Sequence, residues 1–546
     1  LQTANRRVHD LPASHPARIF FRVGVAALCL LAAGQALRGE TGGVQPPASE
    51  APQRIFVRQY RVSGSEVLPR IKVEKAVYPY LGPGRTVEDI DKARAALEEA
   101  YREAGYQAAV VDVPPQPFRG GVVVLQVLEG KVGRLRVKGS RYFDLERIKK
   151  QAPSLQEGKV VNFNDLTRDL LRLNQWPDRQ VTPELKAGLE PGLVDIDLNV
   201  KDTFPLHGSV ELNNRYSADT TELRLNAGIS YSNLWQLGHG IGFNMQISPE
   251  DTEEVKVLSA YYLMRFPGVD WLTLQLLGVK QDSNVSTLGG AAVVGRGETI
   301  GGRLIFALPG KNGFFHSLSF GMDYKNYDDS QEFLGLTTVT PISYYPFSLN
   351  YTAGWAGKGY ETELNAGVTW GLRGMGSRSV KFDDIRFRAD GNYFYFRGDL
   401  AHTHRVGYGF ELYGKVMTQL SNVPLITNEQ MSGGGLESVR GYLEAEVQGD
   451  NGIAGTVELR SPSLLGFLGE GNELKLYVFG DVGQFTLVDA LPEQDSSFQM
   501  ASLGFGGEVK LINHLNAALD VAWPLVDQTT TRAYDPRLLF RVWADF

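Results

Sequence analysis

Met431–Pro462 reads MSGGGLESVRGYLEAEVQGDNGIAGTVELRSP, and FGDVG follows at Phe479–Gly483. An arginine, Arg440, stands in a glycine-rich loop with Gly433, Gly434, Gly435 and Gly441. An aspartate, Asp481, stands on a segment with strand alternation. Leu474, Leu476 and Val478 share one face; Lys475, Tyr477, Phe479 and Asp481 share the other. If the apolar face meets lipid, Asp481 points inward, because a charge on the lipid side of a membrane strand is costly. Glycines let the loop fold sharply and approach a wall closely, and the guanidinium fork matches a carboxylate at two points. Two readings are open from the residues: a loop folded into a barrel and pinned by Arg440 and Asp481, or a solvated external loop with Asp481 lining a wet pore without contact. In the first, Gly441 and Gly483 would permit the approach, with Tyr442 and Phe479 packed around the pair.

The alternation extends on both sides. Leu223, Leu225, Ala227, Ile229 and Tyr231 alternate with Arg224, Asn226, Gly228 and Ser230, and Ile241, Phe243, Met245 and Ile247 repeat the pattern. Leu515, Ala517, Leu519, Val521 and Trp523, then Leu538, Phe540, Val542, Ala544 and Phe546, carry it to the last residue. Runs of about 9–11 residues match tilted membrane-crossing strands. Lipid tolerates no unpaired strand edge, so such a sheet must close. Residues 205–546 hold roughly 14 to 18 strands at about ten residues each.

Upstream of residue 205 the periodicity is mixed and the chain repeats itself. RVSGS at Arg61–Ser65 returns as RVKGS at Arg136–Ser140, GRTVEDIDKARAAL at Gly84 returns loosely as GKVVNFNDLTRDLL at Gly158, and VVVLQVLEG at Val122 is matched by LVDIDLNVKD at Leu193. Each copy reads strand, helix, helix, strand, strand. In the first, Ile90, Ala93, Leu97, Ala100, Tyr101 and Ala104 fall on one helical face. Thr86 with Asp89 forms a capping-box pattern, and Gly105 stands where a C-terminal cap belongs. In the second, Asn162 is the cap and Leu166, Leu170 and Leu173 the stripe.

The 546 residues carry a net charge of -7, which gives no sign of nucleic-acid binding. The single cysteine, Cys29, lies in the apolar run Val23–Ala33, behind Arg6, Arg7, Arg18 and Arg22 and before Gly34-Gln35-Ala36. Basic flank, short apolar core and small residues predict a secretory signal peptide over 1–39, followed by a proline-bearing flexible tether over 40–54.

LNQWPDRQVTPELKAGLEPGLVDI at Leu173–Ile196 resembles the second POTRA domain of two-partner secretion transporters of the hemolysin-activator type (the TpsB family). SVRGY at Ser438–Tyr442, with GDNG at Gly449–Gly452, resembles that family's sixth-loop motif, and FGDVG its companion strand motif. The resemblance covers about residues 55–546. It implies a transmembrane antiparallel β-barrel of about 16 strands (205–546) preceded by two α+β POTRA domains (55–130 and 131–204). It also implies an outer-membrane site with the POTRA domains in the periplasm, and export of one unfolded TpsA-like exoprotein. The loop motif is shared with factors that assemble outer-membrane proteins, so assembly is the alternative. Many members carry an N-terminal plug helix; the stretch between Leu37 and Arg54 is too short for both helix and linker.

No catalytic, cofactor or metal set stands out. GFGG at Gly504 lies in a strand pattern, without the strand-to-helix setting of a phosphate loop. His402 and His404 share a strand face but lack a third ligand. Glu444, Glu446 and Asp450 pass as solvated loop charges. The reading is a non-enzyme whose partners are the exoprotein and outer-membrane lipid.

Overall fold

The structure, a computed structural model, describes residues 54–117, 120–282, 285–286, 293–294, 296–311, 313–333, 336–469 and 471–546. The expected signal peptide and all of the tether except Arg54 lie outside these residues. The chain divides into two compact units, with the boundary in sequence between Phe204 and Pro205.

The N-terminal unit contains two α/β modules. In the first, Gln59–Ser63 runs parallel to Val122–Leu128, which pairs antiparallel with Val110–Asp112. Helices Arg70–Val77 and Val87–Glu103 join these strands. A short ladder of Ile55–Val57 with Gly82–Arg85 is added. Ile90, Ala93, Leu97 and Tyr101 are buried against Val123, Leu125 and Val127, with Ala100 and Ala104 partly covered. Thr86 accepts from the Asp89 N–H at 3.3 Å and Asp89 accepts from the Thr86 N–H at 3.0 Å, so two otherwise unpaired donors at the helix start are satisfied. Gly105, at φ +92°, ends the helix.

The second module repeats the plan. Lys131–Lys138 runs parallel to Leu193–Asp202, which pairs antiparallel with Arg179–Ala187. Asn162 caps the helix Phe163–Leu173, whose Leu166 and Leu173 are buried with Leu170 beside them. The repeat extends to atomic detail. A Cβ on Gly64 would strike the Val127 carbonyl, and one on Gly139 the Val200 carbonyl. Two residues beyond each valine a carboxylate binds the turn after the glycine. Glu129 accepts from the N–H groups of Glu66 (2.8 Å) and Val67 (3.0 Å), and Asp202 from those of Arg141 (2.8 Å) and Tyr142 (2.9 Å).

The C-terminal unit is a closed barrel of 16 antiparallel strands. It closes where Leu206–Asn213 pairs with Arg537–Asp545, helped by reciprocal hydrogen bonds between Gly208 and Phe546. Strands range from 8 residues at Leu206–Asn213 to 20 at Phe314–Phe333, a wider spread than alternation suggests. Phe314–Phe333 is matched by one strand in two pieces, Leu336–Tyr344 and Phe347–Gly357. The break falls at Pro346, which has no N–H to give a ladder. Ile229, Ile241, Phe243, Leu476, Val478, Leu519, Leu538 and Val542 are exposed along the outer wall. Arg224, Gln246, Asp481 and Asp520 are buried on the inner side. This apolar-out, polar-in alternation is what a lipid-facing barrel requires.

Candidate functional site

Strands Phe410–Ser421 and Asn451–Arg460 are neighbours, and the 29 residues between them form one loop rather than a tight turn. A small hairpin, Met431–Gly433 with Val447–Gly449, carries the tip. The tip turns into the barrel: Val439 and Tyr442 are fully buried, and Arg440 is 5% exposed.

Arg440 is held by two carboxylates and one aromatic ring. Its Nε donates to Asp481 Oδ2 at 2.8 Å, its Nη2 to Asp481 Oδ1 at 2.7 Å, and its backbone N–H to Oδ2 at 3.0 Å. Its Nη1 donates to Glu458 Oε1 at 2.7 Å. The guanidinium carbon lies 3.4 Å from the Phe479 ring centroid, within cation–π range. Asp481 sits mid-strand in Glu473–Thr486, 1% exposed, while its neighbour Val482 is 60% exposed on the outer wall. Glu458 is shared with Arg460, which donates to Oε2 at 2.8 and 2.6 Å and stacks on Tyr413.

The remaining motif residues shape the contact. Gly441 has φ +92°, and a Cβ there would stand 3.2 Å from the Pro524 nitrogen. A Cβ on Gly483 would stand 3.0 Å from Val439 Cγ2, so the loop lies directly on the wall at this glycine. Tyr442 is held by the strand next to that of Asp481, Ser497–Leu511, where Ala501 stands opposite Val482, and by the segment after Leu515–Pro524. Its hydroxyl donates to the carbonyls of Ala501 (3.0 Å) or Val526 (2.8 Å), and the N–H of Val526 approaches the same oxygen at 3.2 Å. Gly504 and Gly506 lie within the strand Ser497–Leu511, where the Phe479 and Tyr477 rings occupy the space their side chains would need.

Glu444 and Asp450 are buried rather than solvated, and Glu446 is half-buried. Glu444, 6% exposed, binds Arg215 at 2.7 Å. Glu446 accepts from the Thr531 N–H at 2.7 Å and hydroxyl at 2.6 Å. Asp450, fully buried, accepts from the N–H groups of Leu425 and Val488, both at 2.8 Å. Their partners come from distant segments, so nothing adjacent in sequence announces them. Glu458 carried a weak signal, since it shares strand parity with the inward residues of its own strand. His402 and His404 stack at 5.9 Å on the exposed face, and His402 Nδ1 pairs with Thr362 Oγ1 at 2.8 Å. Among the described residues no group of three or more His, Cys, Asp or Glu is placed to hold a metal.

The family model described as Haemolysin secretion/activation protein ShlB/FhaC/HecB matches residues 192–509, more than half of the chain. The chain belongs to this family. A second model, POTRA domain, ShlB-type, matches residues 55–130. Family members of this kind are outer-membrane proteins, and the POTRA module is periplasmic. The chain is 26% identical over 179 residues to the outer membrane transporter CdiB of Dickeya dadantii, covering 33% of this chain and 31% of the relative. It is 21% identical over 383 residues to the heme/hemopexin transporter protein HuxB of Haemophilus influenzae, covering 68% of this chain and 66% of the relative. The matched stretches thus span about a third and just under two thirds of these relatives. The solved structure of CdiB from Escherichia coli shares the fold, with a TM-score of 0.66 at 19% identity over 92% of this chain and 93% of that one.

Proposed function

We propose that this family member exports one cognate exoprotein across the outer membrane. The exoprotein passes unfolded, as a TpsA-like partner of a two-partner system. The observation that carries the reading is the combination of a ShlB-type POTRA module with a barrel whose lumen holds a pinned loop. A passive pore has no use for a receiving module.

The second module, 131–204, acts as a second POTRA domain, supported by its shared topology and by the matched Gly64/Gly139 and Glu129/Asp202 positions. Exposed sheet edges of such modules receive an extended chain by strand addition, backbone bonds giving affinity and side-chain grooves specificity. Arg440, Gly441, Tyr442, Phe479, Asp481 and Gly483 hold the loop against the wall and stabilise the translocation path. Breaking a shielded pair of this kind leaves a lone charge, at about 3–5 kcal/mol. That cost favours one defined resting position of the tip.

The test is quantitative proteomics of culture medium and outer membrane, with and without the gene. Loss of a single large secreted protein, with barrel proteins unchanged, is the expected result. A broad fall in barrel proteins would overturn export in favour of outer-membrane protein assembly.

A further inference from the structure

The loop that carries Arg440 leaves the barrel through SNVPLITNEQ, Ser421–Gln430, a stretch with no role in the motif. Glu429 ends a single helical turn there, Thr427–Glu429, and is 1% exposed. Its carboxylate accepts from Lys325 Nζ at 2.5 Å, the Tyr344 hydroxyl at 2.7 Å and the Tyr395 hydroxyl at 2.8 Å. Its backbone carbonyl accepts from Gln419 Nε2 at 3.0 Å. Lys325, Tyr344 and Tyr395 belong to three barrel strands, none of which adjoins the strand of Asp481. Beside them Leu425 and Ile426 are buried with Tyr327, Ile342, Phe382 and Ile385.

The other end of the loop is bound too. Asp450 accepts from the Leu425 N–H at 2.8 Å, from Gln430 Nε2 at 3.0 Å and from the Val488 N–H at 2.8 Å. The carboxylate therefore ties the exit of the loop to its entry, and both to the following loop. Between these ends and the Arg440 tip lies the small hairpin, and just past it Gly434 and Gly435 adopt φ +95° and +88°. Ala445, at φ 55°, stands on the return side.

We infer that Glu429 is a positioning residue that, with Asp450, clamps the roots of the loop independently of the tip. Loss of the Arg440–Asp481 contact then loosens only the tip around Leu436–Arg440, hinged at Gly434–Gly435, while Tyr442 and Glu444 keep their own partners and the roots stay on the wall. The reason is electrostatic. The buried Glu429 carboxylate is paired with the part-buried Lys325 ammonium and two further hydroxyl donors, and parting them leaves an uncompensated charge. None of those partners is shared with Arg440. The inference rests on the reading of the tip as the pinned element. Its test does not depend on export, so either idea can fail alone.

The experiment is pulsed electron paramagnetic resonance on the full chain with Cys29→Ser, in detergent. One spin label sits at Tyr408→Cys, fully exposed on a turn. The second sits either on the tip, Leu436→Cys, or on the root hairpin, Gln448→Cys. In Arg440→Ala the tip pair loses its single narrow distance while the root pair keeps it. In Arg440→Ala with Glu429→Gln and Asp450→Asn the root pair loses it as well. The inference is overturned if Arg440→Ala broadens both pairs alike, or if the root stays narrow in the triple variant. Heat-modifiable gel mobility reports that each barrel is folded. If Glu429→Gln does not assemble, Lys325→Met breaks the same contact from the other partner and is read the same way.

Discussion

Gly504 lies directly across the ladder from Phe479, and the Phe479 ring fills the space a side chain at 504 would take. The same ring carries the Arg440 guanidinium on its face. A strand glycine thus sets the position of an aromatic platform, and the platform sets the arginine. Gly504→Ala is expected to displace the ring, with an overpacking cost of about 1–3 kcal/mol. Protease cleavage within 434–446 of the folded barrel measures it; unchanged protection would mean the ring can move without loosening Arg440.

Asp481 and Glu458 both bind Arg440, but not equally. Asp481 accepts three hydrogen bonds from it, and Glu458 one, while also serving Arg460. Asp481→Asn is expected to weaken loop retention by about 3–5 kcal/mol, and Glu458→Gln by less. A double swap, Arg440→Asp with Asp481→Arg, is expected to rescue only partly, because the new aspartate would face Glu458. Full rescue, scored by the same protease protection, would show that Glu458 matters little.

Tyr442→Phe removes the hydroxyl that pairs with the part-buried Val526 carbonyl and N–H, whereas the Ala501 carbonyl keeps the Leu525 N–H at 2.8 Å. The expected loss is about 1–3 kcal/mol. Hydrogen exchange of the segment around Val526 is expected to rise while the Arg440 contact persists. Exchange that rises equally at residues 479–483 would show that the two anchors are one unit.

In the second module Asp197 is held well below the usual carboxylate range by a hydrogen bond from Lys138, then one from Arg136. A carboxylate lowered on folding contributes stability above its unfolded value near ~3.9, and that contribution is lost as pH falls through the lower folded value. Asp197→Asn is therefore expected to destabilise the module at neutral pH, and the gap to wild type is expected to shrink on acidification below about pH 4. Hydrogen exchange over 131–202, corrected for intrinsic rates, checks the sign; a gap that widens in acid would refute it.

Gly139→Ala forces a side chain into a left-handed conformation and against the Val200 carbonyl. The strain alone is about 1–3 kcal/mol. Gly64→Ala is expected to cost its own module a similar amount. Thermal melts of the two variants, followed by exchange in each module, should show matched losses; a silent Gly64→Ala would break the equivalence of the repeats.

Much of the architecture was legible because it is written in short-range patterns. Parity along a strand needs only next-but-one residues, so the inward direction of Asp481 and the outward one of Leu476 and Val478 could be read directly. Helix caps at Thr86 and Asn162 and the paired glycines of the repeat are equally local. The sequence by itself determined the alternating wall, the α/β repeat, and the presence of an arginine and an inward aspartate of matching chemistry. Only the tertiary structure decided which distant groups share a carboxylate. Arg215 and Glu444 are 229 positions apart, Lys325 and Glu429 are 104 apart, and Tyr442 meets Val526 across 84. Barrel closure and the inward fold of one loop bring such groups together. Burial makes their pairing obligatory, because an unpaired charge or donor there has no water to turn to.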